Sequence, residues 1–174
     1  MKLNKFMVAA IALGFVSVAN AAPKDQGHGE IEFHGTIIDA PCSIETGDEE
    51  QKINMGSIAN VSLKDGGKSA AKEFFIHLVN CDNTTAKTVT TTFTGPISAG
   101  NADLIGLTGS ASGASLGITD GSGTLIKLDT ATKPQGIGNH DNTLNFTAFL
   151  QGDAGATIVP GSFSTTTNFT LDYQ

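Results

Sequence analysis

The sequence predicts an antiparallel all-β domain, a sandwich rather than a closed barrel, and three observations carry that prediction. Short runs of alternating apolar and polar residues recur along the chain. Breaks rich in Gly, Asn, Asp and Pro separate them, and no long stretch places apolar residues at helical spacing.

The strands can be placed in order. Residues 31–38 alternate, and a strand is expected around residues 42–45, with a short one at 53–55. Residues 74–81 form a strongly apolar strand that leads into Cys81, and residues 88–94, rich in β-branched side chains, stop at Gly95-Pro96. Residues 116–119 and 125–128 flank Asp120-Gly121-Ser122-Gly123, a hairpin signal. Residues 144–150 follow a turn-rich stretch, and residues 162–173 form the last strand. Residues 57–72 have room for a helical turn or two before Gly66-Gly67 interrupts them. The Gly- and Ser-rich residues 95–113 read as loop. No internal repeat and no linker divides the chain, which suits one domain.

Composition narrows the function classes. Lys2 and Lys5 precede an apolar run over residues 6–18 and the triplet Ala19-Asn20-Ala21, which together read as a secretory signal peptide over residues 1–21. The run is too short for a comfortable membrane span, and export is the expectation. The chain has 17 acidic residues, no arginine and a formal charge of −7. That balance argues against a nucleic-acid partner, which needs cations to neutralise phosphates. Cys42 and Cys81 are the only cysteines. In an oxidising compartment a disulfide is their expected state, contributing roughly 4 kcal/mol in the chain-entropy model. A reactive thiol pair and two metal ligands are the alternatives, and C-x-x-C spacing is missing.

Two segments alternate with unusual regularity. Gly29, Ile31, Phe33, Gly35 and Ile37 share one parity, and Glu30, Glu32, His34 and Thr36 share the other, giving one apolar and one polar face. Gly35 sits within the apolar face, where a glycine often marks close approach of another backbone. Phe163, Thr165, Thr167, Phe169, Leu171 and Tyr173 likewise share a parity, which implies that this segment packs against something. As patterns alone, both read first as outer strands of the domain's own sheet.

The residues also carry a family likeness. The run Gly27-His28-Gly29-Glu30-Ile31-Glu32-Phe33-His34-Gly35-Thr36-Ile37-Ile38-Asp39-Ala40-Pro41-Cys42-Ser43-Ile44 resembles the start of a chaperone–usher fimbrial pilin, most of all the major rod subunits of P-type and related fimbriae. Leu78-Val79-Asn80-Cys81-Asp82, Thr92-Phe93-Thr94-Gly95-Pro96 and Asn168-Phe169-Thr170-Leu171-Asp172-Tyr173-Gln174 extend the resemblance, as does Gly161, fourteenth from the end. The resemblance implies an incomplete immunoglobulin-like β-sandwich lacking its last strand, with an N-terminal donor-strand extension over residues 22–40 and a pilin domain over residues 41–174. It implies that Ile31, Phe33, Gly35 and Ile37 form the donated face. Gly161, Phe163, Phe169, Leu171 and Tyr173 would then line the acceptor groove and chaperone-binding strand, with Cys42 and Cys81 as the family's bridging pair. The implied partners are identical or related pilin subunits in a homopolymer, a periplasmic chaperone and an outer-membrane usher. The implied place is a fimbria at the cell surface, supporting adhesion. A single-domain carbohydrate-binding adhesin and a minor adaptor or terminator pilin are the rival readings.

No catalytic constellation, cofactor motif or metal set emerges. Gly113-Ala114-Ser115-Leu116-Gly117 has the letters of a nucleophile elbow but lacks the strand-to-helix context that motif needs. His28, His34, His77 and His140 are scattered, and none forms a zinc-type pair with cysteine or carboxylate. Asp48, Glu49 and Glu50 read as a solvated acidic loop. A structural protein, not an enzyme, is the expectation.

Overall fold

The computed structural model describes residues 27–174. The signal-peptide reading of residues 1–21 and the first part of the expected extension lie outside the described residues. The chain divides into two compact units, Met1–Ile37 and Ile38–Gln174. In the first, residues 27–37 belong to no strand, and Ile31, Phe33 and Ile37 are 77%, 88% and 102% exposed. The alternation there is real in sequence, yet it has no ladder among the described residues.

The second unit is a β-sandwich in which every pairing is antiparallel. The strands are β1 (Ser43–Ile44), β2 (Lys72–Cys81), β3 (Thr88–Thr94), β4 (Thr108–Gly109), β5 (Ala114–Asp120), β6 (Leu125–Ile126), β7 (Gln135–Gly136), β8 (His140–Gly152), β9 (Phe163–Ser164) and β10 (Asn168–Tyr173). A five-stranded sheet has the order β1-β2-β8-β5-β6 and a three-stranded sheet the order β10-β3-β7, while β4 and β9 form a two-stranded ribbon. A 3-10 helix, Asn60–Gly66, precedes β2 and ends where the glycines were expected to stop it.

Alternation decides which side chains meet between the sheets. Ile76 and Leu78 of β2, Leu116 and Ile118 of β5, and Leu144, Phe146 and Leu150 of β8 point inward and are buried. Val89 and Phe93 of β3 meet them from the other sheet. Phe93 crosses the sandwich to pack edge-on against Phe146, with centroids 5.2 Å apart, while Phe74 stacks on Phe146 at 5.5 Å. Each such pair contributes roughly 0.5–1.5 kcal/mol beyond its area burial.

A bulge then changes the phase of β2. Leu78 opposes Asn142 and Cys81 opposes His140, so β2 spends three residues where β8 spends two. The extra residue is accommodated at Asn80, whose φ is 54°. The shift turns Cys81 inward, where it forms the disulfide with Cys42; both are buried.

Three local readings change. Residues 53–55 form no strand, and among the described residues their backbone bonds to no other backbone group. Residues 95–113 are not plain loop: β4 lies among them, Ile105 bridges Leu116, and Leu104 and Ile105 are both 2% exposed. Residues 162–173 split into β9 and β10, which pair with different strands, although burial alternates without interruption from Ser162 to Gln174. The intervening threonines use their hydroxyls instead of a ladder: Thr165 Oγ1 donates to the Gly106 carbonyl (2.8 Å) and Thr167 Oγ1 to that of Thr94 (2.9 Å).

The disulfide closes a sequence separation of 39 residues, so its loss should act mainly through a less constrained unfolded chain. The double variant Cys42→Ser/Cys81→Ser should be less stable by roughly 2–5 kcal/mol, read as a lower denaturant midpoint at unchanged slope.

Candidate functional site: an open groove beside the last strand

The three-stranded sheet ends at β10, which has a neighbour on one side only, β3. Gln174 and Thr88 exchange both backbone hydrogen bonds, each 2.9 Å, which fixes the phase of the ladder. In an antiparallel pair bonded and non-bonded residues alternate. Asn168, Thr170 and Asp172 therefore point their N–H and C=O groups at β3, and Phe169, Leu171 and Tyr173 point theirs at the open edge. The far side of β3 agrees: Asp129 N–H donates to Phe93 and Thr132 N–H to Thr91, the partners of Phe169 and Leu171.

The same three residues turn their side chains inward and remain only half-buried. Phe169 borders a cleft of about 1200 Å³ whose floor includes Ile76, Phe93, Leu116 and Leu150 from the core of both sheets. One side is formed by Phe163 and Phe169, the other by the chain leaving β1, including Ile53, Met55 and Ile58. Beyond Phe169 the opening continues past Leu171 and Tyr173 towards Cys42 and Ala86. Among the described residues, no strand lies beside β10 on this side.

Of the residues expected to form the groove, Phe163, Phe169, Leu171 and Tyr173 come together along this opening, and Gly161 lines its far end. A β-carbon on Gly161 would lie 2.6 Å from the Ala111 nitrogen and 2.5 Å from Ser110 Oγ. Glycine is thus required by close approach, next to the Ser162 carbonyl that accepts from Ser110 and Ala111 at 3.0 Å each. Gly35, by contrast, has nothing within 4 Å of a β-carbon built on it.

Sequence reasoning missed a polar contact at the groove's other side. Asp48 is not merely solvated: its Oδ2 accepts from the His77 backbone N–H (2.6 Å) and lies 2.7 Å from His77 Nδ1, with Glu45 Oε2 at 3.7 Å. The pairing joins residues 29 apart, which no local spacing signals. Ser115 is fully buried within β5, where its Oγ donates to Asp153 and lies 2.6 Å from Ser98 Oγ. It anchors residues 98–100 to the sheet, and its hydrogen-bond partners are a carboxylate and a hydroxyl rather than a histidine.

An incomplete β-sandwich with an apolar groove along an edge that has no neighbouring strand among the described residues defines the class. The fimbrial protein family profile matches residues 31–174. The fimbria A protein of Serratia marcescens is 56% identical over 176 residues and the major MR/P fimbria protein of Proteus mirabilis 45%, each alignment covering 100% of both chains. Among solved structures, a chain of a chaperone–usher pilus superposes with a TM-score of 0.77 at 33% identity, covering 86% of this chain and 97% of that one. The P pilus rod subunit PapA superposes with a TM-score of 0.70 at 32% identity, covering 78% and 100%. The chain belongs to the fimbrial protein family and is a structural pilin subunit of a bacterial fimbria.

Burial raises the pKa of Tyr173, at the groove edge, above its ordinary value of 10.0. A raised phenol pKa stabilises the fold fully below the unfolded value and loses that contribution as pH climbs through the folded one. Tyr173 is the only tyrosine and there is no tryptophan, so absorbance isolates it. Its titration should run above that of a free tyrosine, and higher still once a strand fills the groove.

Proposed function

We propose that this pilin polymerises head to tail, the groove of one subunit taking residues 22–40 of the next as its missing strand. The observation that carries this reading is the match of two incomplete halves. Phe169, Leu171 and Tyr173 offer unpaired backbone groups beside an apolar cleft, and Ile31, Phe33 and Ile37 stand exposed on one parity of a segment without a sheet. Strand addition to an open edge, of which chaperone–pilin complexes are a standing example, draws affinity from main-chain hydrogen bonds and specificity from alternate side chains. Burying Ile31, Phe33 and Ile37 contributes roughly 1.5–3 kcal/mol each before ordering costs. Gly35 is the point on that face where the strand's backbone approaches the groove most closely.

The contact joins two different surfaces and does not close on itself, so it extends into a filament. An empty groove is an aggregation hazard, and a periplasmic chaperone covers it until an outer-membrane usher brings the next subunit. The product is a homopolymeric shaft at the cell surface, in keeping with relatives named as major fimbrial subunits in Proteus mirabilis and Escherichia coli.

Deleting residues 22–40, or substituting Gly35→Asn, should leave subunits monomeric or chaperone-bound, while the wild type forms ladders that survive heat and denaturant in gel electrophoresis. Three equally stable, soluble monomers would return residues 31–37 to a role outside assembly.

A further inference from the structure

The side of the groove opposite β10 is held in an unusual way. β1 ends its pairing with β2 at Ile44, and the Glu45 N–H adds one more bond to the His77 carbonyl (2.9 Å). The chain then turns through Gly47, whose φ is 101°, and stops following β2 as a strand. The exposed edge of β2 beyond this point is covered by side chains. Asp48 accepts the His77 N–H, and Gln51 Nε2 donates to the Phe75 carbonyl at 2.6 Å. Among the described residues, no backbone group of residues 49–58 bonds to another backbone group, although Ile53, Met55 and Ile58 line the cleft. Besides the packing of Ile58 against the core, side-chain tethers tie this wall to β2, and it has no ladder of its own among the described residues.

The geometry points to Asp48 and Gln51 as positioning residues that clamp residues 49–58 to β2 and so keep the groove ready to accept a strand. The inference rests on the strand-addition reading and adds two residues at the cleft's wall whose bonds run to β2 rather than to β10. A wall held in place beforehand need not be ordered when the strand arrives, so the clamp acts on affinity and residence time by lowering the ordering cost. The tethered carboxylate contributes more than a neutral acceptor would, because hydrogen bonds to an ionised group are the stronger kind.

The test follows a fluorescent synthetic peptide of residues 27–40 binding to the full chain carrying Phe33→Asp, which cannot donate its own strand. Asp48→Ala/Gln51→Ala should release the peptide about tenfold faster than the parent. Asp48→Asn, which keeps an acceptor for the His77 N–H, should recover most of the loss. Circular dichroism melting of the empty subunits accompanies each measurement, and Gln51→Ala alone serves as the milder variant if the double one fails to fold. Release rates unchanged in the variants, with the parent binding normally, would overturn the clamp and leave strand addition intact. Faster release that only tracks a lower melting temperature, without recovery by Asp48→Asn, would assign both residues to general stability. A parent that binds no peptide would remove the strand-addition reading and the clamp with it.

Discussion

The structure depends on one unsatisfied edge. Phe169, Leu171 and Tyr173 combine, residue by residue, a backbone aimed at an empty strand position and a side chain aimed at an open apolar groove. Peptide groups in an apolar setting are costly unless paired, and the side chains of Phe169, Leu171 and Tyr173 remain only half-buried. In the proposed assembly both deficits are removed by the same event, the arrival of an extended segment with alternating apolar side chains.

The remainder of the domain tolerates that deficit because its best packing lies away from the open edge. The long β2 and β8 pair through the middle of the five-stranded sheet, and β5 flanks β8. Phe93 ties the small sheet to this platform through Phe146. The bulge at Asn80 lets β2 finish with a cysteine facing inward, so the disulfide fixes the start of β1 to the end of β2. The strand position left open is thus bounded by a covalently fixed side and by β10. Below that, Gln51 bonds to the Phe75 carbonyl and Asp48 to the His77 N–H, and Ile58 packs against the core.

Much of this was legible in the sequence because period-2 alternation reports burial directly. The bounds of β3 coincide with the expected residues 88–94, and the Asp120 to Gly123 turn joins β5 to β6. Alternation from Phe163 to Tyr173 identified the inward face of β9 and β10 even though the ladder breaks between them. Alternation does not, however, say which sheet a strand joins. Residues 31–37 have the pattern of a strand and no ladder among the described residues, and residues 53–55 form no strand. Long-range polar contacts carry no periodic signal, so the Asp48–His77 pair and the Ser98–Ser115–Asp153 cluster were illegible. Leu104 and Ile105 were hidden for another reason: they reach the core from a Gly- and Ser-rich stretch through an isolated bridge, not a strand.

Amide hydrogen exchange along β10, resolved by residue and compared between the monomeric subunit and the assembled fibre, tests the central claim most directly. The account predicts an alternating pattern in the monomer: slow exchange at Asn168, Thr170 and Asp172, which bond to β3, and fast exchange at Phe169, Leu171 and Tyr173. In the fibre all six should be protected. Protection of Phe169, Leu171 and Tyr173 already in the monomer, or their continued fast exchange after assembly, would contradict the claim that β10 is the edge at which the next subunit completes the fold.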